Sequence, residues 1–190
     1  TGFATGVLYH GPDGQVHEQR AELVVVACNG VGTPRLLLNS KSKTFRDGLA
    51  NRNGMVGKNL MFHPLTGVAG VFDEPMLGHE GPMACSILSQ EFYETDPNRG
   101  FVRGYGLHSG RSTTPMTYAL GGYGIDNPIP WGAEHREIMD NIYPYLAGLT
   151  IVSEDLPEQH NCVTLDPDLT DSDGIPAPKI TYRLGGNTRK

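Results

Sequence analysis

Apolar positions in the first forty residues fall into two patterns. Residues 3 to 10 carry β-branched and aromatic side chains up to Gly11-Pro12-Asp13-Gly14, a turn composition that predicts a hairpin. Residues 21 to 28 then form an apolar run broken only by Glu22. Such a run suits a strand covered on both faces, as in a parallel sheet, better than a strand with one wet side. Asn29-Gly30-Val31-Gly32 ends it, and Thr33-Pro34 offers an N-cap and a first-turn proline to a helix over residues 35 to 40. Ligands of open α/β sheets gather at such strand-to-helix ends, where free N–H groups attract anions.

From about residue 42 the pattern gives way to a glycine- and asparagine-rich connection through residues 48 to 51 and 54 to 60, read as a domain crossover. Beyond it, strand-like pieces near 66 to 72, 83 to 89, 100 to 108 and 145 to 153 are separated by Pro and Gly turns, which predicts a mostly antiparallel sheet. Only residues 133 to 143 of this half read as helix, with Ile138 and Ile142 on one face, packed on that sheet. Residues 161 to 165 and 179 to 183 flank an Asp- and Pro-rich span, as paired strands would. The expected fold class is therefore α/β in the first part and α+β in the second.

Charge and composition narrow the function classes. The chain has 15 Lys and Arg against 21 Asp and Glu, a formal charge of −6, and no basic run that would track a phosphate backbone, so nucleic acid is not expected as a partner. No apolar stretch approaches the roughly 20 residues of a transmembrane helix. The expectation is a soluble chain, cytoplasmic or periplasmic, the sequence given not deciding between them because a leader is not observable in it. Cys28, Cys85 and Cys162 are widely spaced, without a CxxC pair, and read as reduced core residues. The abrupt opening on Thr1 and the end at Lys190 suggest an internal piece of a longer protein.

Most familiar catalytic patterns are missing. Gly30 and Gly32 supply the first two glycines of a GxGxxG fingerprint, but Arg35 stands at the third, so spacing alone reads as a plain strand-to-helix turn. Seven histidines form neither HxH nor HExxH nor a zinc spacing with cysteine, so no metal is expected. No serine occupies a GxSxG elbow; Gly106-Leu107-His108-Ser109-Gly110 puts histidine there. Arg103, Tyr105 and His108 lie on a strand-like stretch and face either a pocket or solvent. His63, held extended by Pro64, sits at the crossover, where a cleft or a simple hydrogen bond across the linker are the two readings.

Three stretches taken together resemble the glucose-methanol-choline (GMC) oxidoreductases: Ala4-Thr5-Gly6-Val7-Leu8-Tyr9, Val24 through Leu38 with its ACNGVGTPRLLL, and Gly54-Met55-Val56-Gly57-Lys58-Asn59-Leu60-Met61-Phe62-His63-Pro64. The sequence departs from the family where Cys28-Asn29-Gly30 replaces a small Ala-Gly-Ala run, and where Lys41-Ser42-Lys43 follows Ser40. Asn29 tolerates left-handed backbone almost as glycine does, so the turn survives the change.

The resemblance implies FAD as cofactor and oxidation of a CH–OH group of an alcohol, sugar or polyol by hydride transfer to flavin. The electron acceptor is left open among oxygen, a quinone and a cytochrome. It implies that residues 1 to 64 are the later part of a Rossmann-like FAD-binding domain plus crossover, and that residues 65 to 190 are an incomplete substrate-binding domain. Ala27, Cys28, Asn29 and Gly30 would lie against FAD; His63, Arg103, Tyr105 and His108 are substrate-side candidates. The family's GxGxxG and its catalytic histidine match nothing in this chain, so no catalytic residue is assigned and the isolated chain is expected to be inactive. The rival class is a non-catalytic, β-rich carbohydrate-binding module that stacks sugars on Trp131, Tyr118 and Tyr123.

Overall fold

A computed structural model describes residues 2–81, 87–110, 113–121 and 129–190; Cys85 and Tyr123 lie outside these. The chain folds as two compact units. One takes Thr1–Met61 with Leu156–Gly185, the other Phe62–Asp155 with Gly186–Lys190.

The first unit opens with the expected hairpin. Strands β1 (Gly6–His10) and β2 (Val16–Arg20) pair antiparallel, Gly6 opposite Arg20 and His10 opposite Val16. Gly14 closes the connecting turn at φ +72° and donates its N–H to the Gly11 carbonyl at 2.9 Å. A left-handed backbone at that position is the reason for glycine there.

Residues 21 to 28 do not form the expected buried strand. They run without a strand partner, and Leu23 and Val25 are 79% and 77% exposed. A strand exists through its ladder to neighbours, and every strand pairing among the described residues is antiparallel and engages other segments.

Helix α1 spans Asn29–Asn39, starting six residues before the expected Arg35. Asn29, at φ +59°, accepts the Val31 and Gly32 N–H groups on its Oδ1 at 2.9 and 3.0 Å, so it rather than Thr33 satisfies the helix start. Thr33 Oγ1 instead accepts the Cys28 N–H at 3.2 Å. Pro34 falls inside the helix and is its buried residue, docked on the unit's other elements rather than acting as an entry residue.

Strands β7 (Cys162–Thr170) and β8 (Pro176–Thr181) then pair antiparallel, Cys162 opposite Thr181, with a register shift between Leu165 and Thr170. The predicted strand pair around 161 to 165 and 179 to 183 is this hairpin. Helix α1 lies against it, and Val163 and Asn161, 1% and 0% exposed, form its tight centre. The crossover Gly57-Lys58-Asn59-Leu60 adds to its edge: Gly57 O accepts Val163 N–H at 2.8 Å, Lys58 bridges Cys162, and Asn161 O accepts Leu60 N–H at 2.9 Å.

In the second unit, β3 (Leu65–Val71), β6 (Leu146–Ser153), β5 (Tyr105–Gly110) and β4 (Leu88–Ser89) are hydrogen-bonded in that order into one antiparallel sheet. β3 and β6 fall where the pattern put them. β5 starts later than expected because a 3-10 turn over Pro97–Arg99, Gly100 at φ +73° and Arg103 at φ +70° break the strand before it. The helix expected at 133 to 143 is α3 (Ala133–Asn141) followed by a 3-10 turn over Tyr143–Tyr145.

It is not the half's only helix. α2 (Pro115–Gly121) precedes it, capped by Thr114, whose Oγ1 accepts Thr117 N–H at 3.1 Å. Its seven residues are too few for apolar periodicity to show, although Thr114-Pro115 is itself a helix-start signal like Thr33-Pro34. Tyr118 of α2, Tyr143 and Leu146 of β6 form a core to which Ile138 and Ile142 add their predicted apolar face. The chain is thus a mixture of helices and antiparallel strands.

Candidate functional site

The first place where chemistry gathers is the turn that opens α1. Ala27, Cys28, Asn29 and Gly30 follow one another there and all are exposed. Exposure corrects the expectation that Cys28 is a core thiol; of the two described cysteines only Cys162 is buried. Cys28 packs its Cβ across Gly32, where an added Cβ would stand 3.0 Å away, a tight contact that Cys28 would have to yield to. A Cβ added to Gly30 meets nothing within 4 Å, which leaves its backbone open.

The turn is held from behind. Arg35 Nη2 donates to Asp171 Oδ2 at 2.7 Å and to Ile175 O at 3.2 Å, and its Nε donates to Pro176 O at 2.9 Å. Asp171 turns its other oxygen inward to accept the Asp173 and Ile175 N–H groups, each at 3.0 Å. The Arg35 hydrogen bond, with these backbone donors, holds the Asp171 carboxyl below the usual aspartate range.

The second place lies on the sheet of the second unit, at the carboxyl end of β6. Its face carries a cleft of about 400 Å³ with Tyr105, Leu107 and Ile151 along the strands and Arg99, Ser153 and Glu154 at its polar end. Three of the four substrate-side candidates converge on Ser153 and Glu154. The His63 ring Nδ1 lies 3.3 Å from Ser153 O, Tyr105 pairs with Ser153 across β5 and β6, and Arg103 Nε stands 3.9 Å from Glu154 Oε2. Tyr93 donates its hydroxyl to Glu154 Oε1 at 3.4 Å. Tyr105 stacks on Phe92 with ring centroids 5.3 Å apart.

His108 is not brought to this group. It pairs with Thr150 and Leu88, three residues on from Tyr105, so strand alternation turns it to the opposite face of the sheet. There its ring lies within ordinary contact of the space over Gly106. Glu154 was not singled out from sequence. The available signal was a β-rich run closed by the acidic pair Glu154-Asp155, and only its neighbours in space give that pair meaning.

Among the described residues, no three of His, Cys, Asp and Glu stand together as metal ligands would, and no helix is long and apolar enough to cross a membrane. The aromatic surface of the rival reading is dispersed. Tyr118 is buried against Tyr143, ring centroids 4.9 Å apart, while Trp131 stands 82% exposed, stacked on His135.

No family model matches the chain. Curated relatives do. Over 183 residues, 95% of this chain and 33% of the relative, it is 44% identical to the 2-methyl-1,2-propanediol dehydrogenase of Mycolicibacterium austroafricanum. Over 194 residues, 98% of this chain and 33% of the relative, it is 30% identical to the fructose dehydrogenase large subunit of Gluconobacter japonicus. A GMC-type oxidoreductase of Mycobacterium tuberculosis matches half of the chain at 36% identity, over 14% of its own length. The chain spans about a third of the length of the first two of these relatives. Identity at this level along nearly the whole chain, on top of the three ordered motifs, makes the chain similar to oxidoreductases that include the glucose-methanol-choline type.

Proposed function

We propose that this chain is part of an FAD-dependent oxidoreductase that oxidises a CH–OH group of an alcohol, sugar or polyol. The observation that carries the reading is its 44% identity, over 95% of its length, to a dehydrogenase named for a diol, with a second match to one named for fructose. Bound FAD would supply the hydride acceptor; the electron acceptor beyond it is outside this proposal.

The residues at the head of α1 fit such a group. Ala27, Cys28 and Gly30 are small and exposed, space opens over Gly30, and the N–H groups of Asn29 and Gly30 have no carbonyl one turn back within the helix. Asn29 Oδ1 meanwhile occupies the next two N–H groups, so this end is a surface for close backbone approach more than a phosphate cradle. In the same reading the apolar residues 21 to 28 become a doubly covered parallel strand of a Rossmann-like domain once neighbouring strands are supplied. Their 79% and 77% exposure at Leu23 and Val25 supports that, since long apolar runs seldom stay wet without a partner.

On the substrate side, Tyr105 and Glu154 would line the approach, with His63 and Arg103 orienting Ser153 and Glu154 from behind. His108, on the other face, is the weakest of the four candidates. A carbohydrate-binding module is the poorer reading because one of its three stacking residues, Tyr118, is spent on the core.

The test is purification of the full-length gene product. Expected are a yellow protein with about one FAD per chain and bleaching of the flavin by a diol or sugar under anaerobic conditions. The isolated 190-residue chain should neither retain flavin through gel filtration nor turn over an alcohol. A full-length protein free of flavin and unreactive toward every CH–OH donor would overturn the reading.

A further inference from the structure

We infer that Arg35 and Asp171 form a positioning pair that sets where the head of α1, and with it Ala27 to Gly30, presents itself to the cofactor. The inference rests on the functional reading above and adds to it a determinant 136 residues away in sequence. Neither residue touches the proposed cofactor surface.

Arg35 stands six residues into α1, about 9 Å along the axis from Asn29 at the usual rise per residue. A helix is stiff over that distance, so the seat of Arg35 decides the position of the turn. That seat has a defined shape. The guanidinium spreads over one carboxylate oxygen and two carbonyls, one in the turn between β7 and β8 and one at the first residue of β8, and only a planar fork satisfies three acceptors from one end. The carboxylate is itself fixed, because Asp171 Oδ1 closes its own turn through the Asp173 and Ile175 N–H groups. Arg35 and Asp171 are 27% and 34% exposed, so the pair is shielded more than an ordinary surface ion pair.

The residue beside Arg35 supplies the second anchor. Pro34 is buried and lies within ordinary contact of the space over Gly57, which in turn pairs with Val163. A buried proline fixes the axis of α1 against the hairpin and leaves rotation about that contact. The Arg35 fork removes the rotation. Two adjacent anchors beyond the turn thus hold it without occupying its open face.

The test uses the full-length flavoprotein with Arg35→Met, Arg35→Lys and Asp171→Asn, and Lys179→Met as a control that removes a different ion pair of the same hairpin. FAD affinity is read by fluorescence titration of the apoprotein, well below its melting temperature, and the visible band shape of bound flavin is recorded beside it. Arg35→Met should weaken FAD binding about tenfold and blur the band structure. Arg35→Lys, which keeps the charge and loses the fork, and Asp171→Asn should fall between it and wild type, and Lys179→Met should match wild type. The double variant Arg35→Met with Asp171→Asn should be no worse than Arg35→Met alone. If Arg35→Met does not fold, Arg35→Lys and Asp171→Asn carry the test. Affinity within twofold of wild type in the folded Arg35 and Asp171 variants, even with lower melting temperatures, makes the pair purely structural and overturns the inference. A wild-type protein that binds no FAD instead overturns the functional reading, and this inference with it.

Discussion

Gly57 and Val163 meet backbone to backbone. Gly57 O accepts the Val163 N–H at 2.8 Å, and a Cβ on Gly57 would fall on the Val163 carbonyl oxygen. Gly57 also sits at φ +83°, where a side chain strains the backbone even in open space. The glycine of the Val-Gly-x-Asn-Leu stretch is therefore explained by close approach and by dihedral at once. Gly57→Ala should cost about 2–4 kcal/mol by the combined effect of strain and clash. Chemical denaturation of the full-length protein checks it, and Gly54→Ala, left-handed but with open space around it, should cost less.

Asn161 gives a second expectation. Fully buried, it accepts Arg183 N–H on Oδ1 at 2.8 Å and donates from Nδ2 to Arg183 O at 3.1 Å, acting as a short strand against that residue's backbone. Asn161→Ala strips both partners from Arg183 and should destabilise by about 2–3 kcal/mol, the cost of leaving buried polar groups unpaired. Asn161→Asp should also destabilise, since a carboxylate accepts from the Arg183 N–H but offers nothing to its carbonyl. Melting temperatures of the two variants would decide this.

Acid should loosen the hairpin that carries α1. Asp171 is held below its ordinary 3.8 in the folded protein, first by Arg35 and then by its own turn's N–H groups. A depressed folded-state value means that the ionised carboxylate adds stability above the unfolded pKa and that this addition is lost as pH falls through the folded one. The melting temperatures of wild type and Asp171→Asn should therefore differ at pH 6 and draw together as pH falls below the usual aspartate range. Differences that persist at low pH would contradict this assignment.

The aromatic core should respond at the alkaline end. Burial raises the Tyr118 hydroxyl above its ordinary 10.0, so the folded protein keeps that proton while the unfolded chain releases it. Stability is then intact below pH 10 and falls as pH climbs toward the raised value. Tyr118→Phe should remove this part of the alkaline loss. Tyr143→Phe, which deletes the 2.7 Å hydrogen bond to Thr113 O, should cost about 1 kcal/mol near neutrality. Thermal melts at pH 7 and pH 11 separate the two effects.

Much of the local structure was legible along the chain. The Gly11 to Gly14 turn and α3 depend on neighbours a few residues apart, and the apolar faces of β3, β6 and the late hairpin leave a period that shows along the chain even though β3 and β6 pair with each other from far apart. The turn at Asn29 to Gly32 ahead of α1 was legible for the same reason, as was the strand that carries Tyr105. Asn29 takes the left-handed backbone expected of it, and it also caps its own helix, which the sequence did not distinguish because both leave the same trace.

The sequence by itself thus carried the resemblance to glucose-methanol-choline oxidoreductases, through three motifs in order, together with the antiparallel character of the second half and the sites of its main turns. Only the tertiary structure decided that residues 156 to 185 return to the unit of α1, that Arg35 closes on Asp171, and that His63, Arg103 and Tyr105 gather at Ser153 and Glu154 while His108 faces away. It also left residues 21 to 28 unpaired where the apolar pattern read a buried strand. Periodicity encodes which face of an element is apolar. It carries no information about which distant segment will cover that face, because that choice is made by packing and hydrogen bonding between residues far apart in the chain.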